Sequence, residues 1–167
     1  LGGAEHEAVE AGGFVGDVRR GGSVNCETVR FRMHGQGTHT EAVGHVTAAR
    51  LSVLHMLRDE PVVHVCAVVT VQPERCGDAG AAVAPDLVVT EAAVREAVRR
   101  TCGATLPAGR LPAVLVRTLP NAPADKLQRA WSGTNPPYLA AAAARYLREQ
   151  CGTRHLLVDL PSVDREQ

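Results

Sequence analysis

Apolar and polar residues alternate along some segments of the chain and cluster in others, and each pattern predicts a type of element. Residues 24–34 alternate with a period of two, which is typical of a strand. Residues 62–71 and 112–118 are nearly continuous apolar runs rich in β-branched residues, as in strands buried on both faces. Residues 154–160 form a shorter apolar segment that predicts a further strand. We therefore expect a sheet built from these segments.

Helices are predicted between these strands. Thr90 is a favourable N-cap for a helix over 91–100, and Gly103 follows as a stop. Residues 138–150 carry apolar side chains at a helical spacing, and residues 47–58 predict a short helix. Strands interleaved with helices indicate an α/β or α+β domain.

Two segments that contain proline and glycine, 72–86 and 119–137, are predicted to be loops. The second is long for a compact domain, and long loops often form functional lids. It carries Trp131, the single tryptophan, which either lines a pocket or fills a hydrophobic gap. Trp131 is therefore a candidate substrate-binding residue.

Residues 1–23 are rich in glycine and predict a turn-rich arm. Arg19 and Arg20 lie near its end, and two adjacent guanidinium groups can hold a substrate carboxylate through bidentate hydrogen bonds. A solvated loop is the alternative for the same two residues.

The composition narrows the class of protein. The chain has 167 residues, which suits one domain, and 18 basic residues balance 18 acidic ones. A net charge of zero does not favour binding to nucleic acids or anionic membranes, and an aromatic content of 3% does not favour stacking on bases. No apolar run reaches the roughly 20 residues of a membrane span. We therefore expect a small-molecule substrate, with no nucleic-acid partner and no membrane partner.

The five cysteines are scattered, odd in number and without a Cys-x-x-Cys pair. This distribution favours reduced thiols in a cytoplasmic protein. His64 and Cys66 point to one side of the strand at 62–71, where core packing is expected rather than a thiol–imidazole pair. We expect a single domain over 1–167 that is incomplete at both ends.

The stretch 34–45 holds three of the seven histidines, with a carboxylate between two of them. His39 and Glu41 are two residues apart, so their side chains leave an extended backbone from the same face. His45 follows four residues later, across Gly44, where the backbone can turn back. Imidazole and carboxylate are ligands for divalent metals. The stretch predicts a metal site, and hydrogen bonding within a turn is the alternative.

The same stretch resembles the signature of the metal-dependent cyclase family, His-x-Gly-Thr-His-x-Asp-x-Pro-x-His. Gly37, Thr38, His39 and His45 match in place, and Glu41 stands where the family has Asp. The first histidine of the pattern falls on Gly35, with His34 one residue early, and the proline position is Val43.

Two further segments resemble the family. The run Asn-Pro-Pro-Tyr-Leu at 135–139 precedes a predicted helix, and the run Val-Asp-Leu-Pro-Ser-Val-Asp at 158–164 follows it. In the family the second run leads into a turn near the pocket, so Ser162 and Asp164 become candidate substrate-binding residues. Gly16-Asp17 and Arg19-Arg20-Gly21-Gly22 resemble one bacterial branch of the family.

The resemblance implies a swivelling β/β/α fold and a dimer or larger homo-oligomer, here a homodimer or tetramer. It implies a divalent metal, zinc or manganese, held by His39 and Glu41 with His34 or His45 as a third ligand. With His34 as ligand, His45 becomes the catalytic acid–base group. The implied reaction is hydrolysis of an amide, formamide or cyclic C–N bond, with formylkynurenine the leading substrate in the family.

A second hypothesis belongs to a different class. Family members take a further His and Glu ligand from a segment downstream of this chain. With glycine at the first ligand position, the chain is alternatively an inactive or truncated member that serves as a binding or assembly domain.

Overall fold

The computed structural model describes residues 3–77, 85–103 and 111–166. Contacts group the chain into two compact units, Leu1–Glu60 and Pro61–Gln167. Each unit has its own strands and helices. The protein is a mixed α/β structure, as its alternating patterns predict.

The first unit is built from short strands and short helices. Strand β1 pairs antiparallel with β4, and β2 pairs antiparallel with β3. Gly12 and Gly13 turn the chain between β2 and β3 with positive φ angles of 56° and 86°. The elements are β1 (Glu5–Ala8), β2 (Glu10–Ala11), β3 (Phe14–Val15), β4 (Glu27–Arg30), α1 (Met33–Gln36) and α2 (Val53–Leu57).

Three predictions for this unit need correction. The glycine-rich arm contains strands as well as turns. The strand predicted over 24–34 is limited to Glu27–Arg30, because its partner β1 offers only Glu5–Ala8. The helix predicted over 47–58 begins at Val53, where the Ser52 hydroxyl accepts a hydrogen bond from the His55 amide at 3.1 Å.

The second unit contains two three-stranded sheets, in the orders β10-β8-β5 and β6-β7-β9. In the first sheet both pairs are parallel, and in the second β6-β7 is antiparallel while β7-β9 is parallel. The elements are β5 (Cys66–Val71), β6 (Glu74–Cys76), β7 (Asp86–Val89), α3 (Glu91–Cys102), β8 (Ala113–Thr118), α4 (Pro123–Gln128), β9 (Tyr138–Leu139), α5 (Ala141–Glu149) and β10 (His155–Val158).

The buried apolar side chains of the described residues all lie in this second unit. Helix α3 packs on β5 and on α5, and Val69, Val94 and Val114 at the centre are 0% exposed. The Thr90 hydroxyl accepts a hydrogen bond from the Ala93 amide at 3.2 Å, and Gly103 ends α3 with a φ of 84°. The prediction for this helix is confirmed, with two more residues at its end.

The loops and the last helix differ from prediction. Tyr138 and Leu139 pair with Val88 and Val89 as strand β9, so α5 begins only at Ala141. The loop predicted over 72–86 contains β6 and the start of β7, and its residues 78–84 lie outside the described part. The loop predicted over 119–137 contains α4. No described helix is both long and apolar enough to span a membrane.

Candidate functional site

Three imidazoles converge on one carboxylate oxygen, Oε1 of Glu41. Nδ1 of His34 lies 2.5 Å from it, Nε2 of His39 lies 3.1 Å away, and Nε2 of His45 lies 3.5 Å away. The His34 ring stacks on His45, with centroids 4.4 Å apart, and meets the edge of His39 at 4.7 Å. We call His34, His39, Glu41 and His45 the histidine cluster.

The local backbone explains how residues so close in sequence face one point. His34 lies in α1, not at a strand end, and this turn of helix directs its imidazole toward Glu41. The one-residue offset of His34 in the sequence therefore does not keep it out of the cluster. His39 and Glu41 follow α1 in a segment without regular structure, and their side chains meet, as predicted.

The residue at position 44 must be glycine because the backbone of Leu51 passes close to it, and not because of a left-handed turn. It lies in a 3₁₀ turn, Val43–His45, and a Cβ atom built on it would collide with the backbone of Leu51. The absent side chain lets the chain at Leu51 pass against the turn that carries His45.

A hydrogen bond fixes the tautomer of His39. Its Nδ1 lies 2.8 Å from the Gly37 carbonyl, which can only accept, so Nδ1 carries the proton. In the neutral ring Nε2 then has the free lone pair, and it faces Glu41. A metal-binding histidine commonly has this arrangement, with one nitrogen held by a carbonyl and the other directed at the ion.

The electrostatics of the cluster favour the charged forms of His39 and Glu41. The Gly37 carbonyl, followed by Glu41, raises the pKa of His39 above its ordinary value. Partial burial would raise the pKa of Glu41, but the hydrogen bond from His39 and the nearby His45 and His34 outweigh it, and the pKa is lowered. An ionised carboxylate surrounded by imidazoles suits a divalent cation.

The donor set fits such a cation. One ligand atom each from His34, His39 and Glu41 lies within 4.8 Å of the others. The side chains are accessible, from 23% exposed for His39 to 53% for His34. Three protein ligands with open coordination positions are the usual composition of a catalytic zinc site.

A cleft lies around Trp131 in the second unit. Two cavities of about 170 and 350 Å³ share Leu87, Arg129, Trp131 and Pro137 in their walls. The Arg129 guanidinium lies over the Trp131 ring, 4.9 Å from its centroid. Trp131 therefore lines a pocket, one of the two roles predicted for it.

Polar contacts tie down the loop that carries Trp131. The carboxylate of Asp86 accepts hydrogen bonds from Asn135 at 3.0 Å, from Tyr138 at 3.1 Å and from Arg165 at 2.8 Å. Glu166 accepts a hydrogen bond from the Gly133 amide at 2.7 Å. These hydrogen bonds connect the cleft wall to β7 and to the last described residues, Arg165 and Glu166.

Asp159 and Lys126 form a network that the sequence did not indicate. The Lys126 ammonium donates to Asp159 at 2.6 Å, and so does Asn121 at 2.6 Å. The Thr118 hydroxyl donates to the same carboxylate at 2.8 Å. Thr118 and Lys126 also line the smaller cavity. These residues are distant in sequence, so no local pattern signals that they meet.

Comparison with known proteins places the chain in a family. The model of the Cyclase family, described as "Putative cyclase", matches residues 6–165. The chain belongs to the Cyclase family. Searches of curated proteins and of solved structures found no match. As a Cyclase member, the chain has candidate His and Glu metal-binding groups in the segment 34–41.

The arginines of this Cyclase chain are engaged by neighbouring carboxylates. Arg19 forms a bidentate pair with Asp17, at 3.1 and 3.0 Å, and Arg20 lies 2.5 Å from Glu10. The hydrogen bond from Arg19 lowers the pKa of Asp17. These ion pairs account for both arginines without a substrate, so a substrate-binding role stays a prediction.

Ser162 and Asp164 form an exposed turn in this Cyclase chain. The Ser162 hydroxyl accepts a hydrogen bond from the Asp164 amide at 3.1 Å, and the Val163 carbonyl between them accepts one from the Leu139 amide at 3.0 Å. The turn is anchored to β9, and its role toward a substrate stays a prediction.

Proposed function

We propose that this chain is a metal-dependent hydrolase acting on an amide, formamide or cyclic C–N bond, with formylkynurenine-like substrates first. The observation that carries the proposal is the convergence of three imidazole nitrogens on Oε1 of Glu41. Membership of the Cyclase family supports an enzyme of this kind. We also propose that the chain adopts the swivelling β/β/α fold of the family.

His34, His39 and Glu41 would hold the ion, zinc or manganese. A bound divalent ion supplies a Lewis acid and a water of lowered pKa at neutral pH. Imidazole suits zinc, whereas carboxylate and water suit manganese, so the donor set admits either metal. The Gly37 carbonyl orients His39 so that its Nε2 is available.

His45 would serve as the acid–base group. Its Nε2 lies 3.5 Å from Glu41, beside the ligand atoms, and its side chain is 48% exposed. An imidazole in this position can accept a proton at Nε2 and return it to the leaving nitrogen of the substrate. The stacked ring of His34 fixes the orientation of the His45 imidazole.

The test begins with metal content, measured by mass spectrometry on protein purified without added metal. We expect at least one equivalent of a transition metal, with a content lower by about one equivalent in His39→Ala and unchanged in His55→Ala, an exposed histidine outside the cluster. No metal after loading with Zn²⁺ and Mn²⁺ would refute the hydrolase proposal.

A second variant separates the role of His45 from that of a ligand. With formamide and cyclic-amide substrates, His45→Asn should keep the metal and lose about 10²–10⁴-fold in kcat. A variant that loses the metal as well would make His45 the third ligand instead. Activity should disappear with a chelator and return with zinc or manganese.

One observation favours the second candidate function, a binding or assembly domain. The first unit exposes large apolar side chains, among them Phe31 at 62%, Val46 at 76% and Leu54 at 84%. Exposed apolar surface of this kind often marks an interaction site. It also supports the proposed homodimer or tetramer, with which the enzymatic proposal is compatible.

Light scattering after size exclusion tests the assembly. We expect a dimer or tetramer, shifted toward monomer by Leu54→Glu and unaffected by Val62→Glu, a fully exposed position in the second unit. A monomer at concentrations of tens of micromolar would contradict assembly. We also propose a cytoplasmic location, which the five unpaired cysteines support. The zero net charge supports a small-molecule substrate, with no nucleic-acid partner and no membrane partner.

A further inference from the structure

A second pair of imidazoles lies in the second unit, outside the histidine cluster. His64 lies two residues before the start of β5, and His155 is the first residue of β10. Their ring centroids are 4.4 Å apart, with 45° between the ring planes. Both residues are half-buried, and one ligating nitrogen of each lies within 4.8 Å of the other.

The parallel sheet brings these two histidines together from its two outer strands. Strands β5 and β10 flank β8, and both Cys66 and His155 align with Ala113 of β8. Adjacent strands are about 4.8 Å apart, so β5 and β10 are separated by roughly 10 Å. The ring centroids, 4.4 Å apart, show that the two imidazoles reach toward each other across this distance.

The backbone around the pair is fixed. The His155 amide donates to the Pro112 carbonyl at 3.0 Å, and the Arg154 amide donates to the same carbonyl at 2.9 Å. His64 leads directly into β5, whose register with β8 runs from Cys66 to Val71. Ligands on a hydrogen-bonded sheet lose little conformational freedom when they bind an ion, which favours binding.

We propose that His64 and His155 form a second metal site, specific for a divalent transition metal that prefers imidazole. Copper(II), nickel(II) and zinc(II) are the candidates, with copper(II) bound most tightly according to the Irving–Williams order. Water or other donors complete the coordination. The ion joins the two outer strands at the amino-terminal edge of the sheet, so it acts as a structural clip there.

The first experiment uses electron paramagnetic resonance on the full chain carrying His34→Ala, His39→Ala and His45→Ala, loaded with one equivalent of copper(II). This background removes all three imidazoles of the histidine cluster, so the result is independent of the proposed hydrolase. We expect nitrogen hyperfine structure from two equivalent imidazoles. A spectrum with one nitrogen or none would overturn the proposal without any further variant.

The second experiment measures nickel(II) and copper(II) affinity by calorimetry in the same background. His64→Gln and His155→Gln should each weaken binding by at least about tenfold, since even residues behind a metal ligand contribute 10–100-fold. The matched control is His55→Gln, an exposed histidine in the first unit. Equal affinity in all three variants would overturn the proposal.

Thermal unfolding gives an independent readout. Copper(II) at 100 times its dissociation constant should raise the Tm of the same triple-alanine background by about 5 °C or more, because it binds only the folded state. The shift should vanish in His155→Gln, whose metal-free circular dichroism spectrum verifies folding. A shift that persists in this variant would assign the stabilisation to another site.

Discussion

At the scale of single residues, the proposed chemistry depends on how one oxygen of Glu41 is shared. His34, His39 and His45 come from a helix turn, an irregular segment and a 3₁₀ turn, and they nonetheless face the same atom. The backbone between them makes this possible, because Gly37 supplies the orienting carbonyl and Gly44, without a side chain, allows the turn to approach Leu51.

Replacing Gly44 by alanine tests the close approach. The added Cβ would collide with the Leu51 backbone, so the turn must shift and carry His45 away from Glu41. We expect a loss of about 1–3 kcal/mol in unfolding free energy, measured with urea, and weaker metal binding. The control is Gly37→Ala, where φ is −167° and a Cβ would meet nothing within 4 Å. Equal effects at both positions would contradict the steric argument.

The ionisation of Asp159 makes the unfolding free energy depend on pH in the acid range. Burial would raise the pKa of Asp159, but hydrogen bonds from Lys126 and Thr118 outweigh it and lower the pKa below 3.8. The carboxylate therefore stabilises the fold fully above about pH 5, and this contribution is lost as the pH falls through the lowered pKa. Asp159→Asn should cost about 2 kcal/mol at pH 7 and less near pH 2.

Urea unfolding at the two pH values measures this difference. Asp164→Asn, in the exposed turn, is the matched control and should change little at either pH. A cost for Asp159→Asn that is the same at pH 2 and pH 7 would show that the ion pair contributes nothing.

The sequence predicted that His39, Glu41 and His45 lie close together, because they are near one another on the chain and local geometry governs them, and their roles as ligands or catalytic groups stay predictions. It misplaced His34 at the end of a strand, because the alternating pattern continues beyond the last residue that β1 can pair. It could not predict that Lys126 meets Asp159, because a contact across 33 residues depends on the tertiary fold.

At the scale of elements, long periodic segments were predicted best. Strand β8 and helix α3 follow their patterns, since burial and capping are consistent there. The strand predicted over 62–71 and buried on both faces is only partly correct, because β5 begins at Cys66 and one of its faces is exposed. Two-residue strands such as β9 have no pattern of their own. Tyr138 and Leu139 fit a helix or a strand, and only pairing with Val88 and Val89 decides between them.

The cap of α3 offers an element-scale prediction. Thr90 accepts from the Ala93 amide and donates to Glu74 at 3.0 Å, so it connects α3 to β6. Thr90→Ala should lower the unfolding free energy by about 1 kcal/mol, and Thr90→Ser should restore most of it. Chemical denaturation measures both values. A serine variant as unstable as the alanine variant would rule out the hydrogen bonds as the cause.

At the scale of the whole molecule, the buried core and the histidine cluster belong to different units. The core consists of described residues between Ala67 and Cys151, whereas the cluster lies before residue 60. Length and composition predicted an α/β protein, but they carried no information on this division.

Hydrogen exchange should reveal the division. Amides of β5, β8 and α3 should exchange most slowly, because they open only with the buried core. Amides of β1 and β4, whose side chains are mostly exposed, should exchange faster by several orders of magnitude. Mass spectrometry of peptic peptides resolves these segments. Uniform protection across the chain would contradict the expected pattern.

The separation has a consequence for how the protein tolerates change. Proteins accept substitutions until their stability falls below a threshold, and the residues that set this threshold are those of the buried core. None of the four cluster residues is part of that core. In a saturation library of the four cluster positions, cellular abundance should therefore stay near that of the parent while metal binding and activity are lost, so that the two phenotypes separate chemistry from folding.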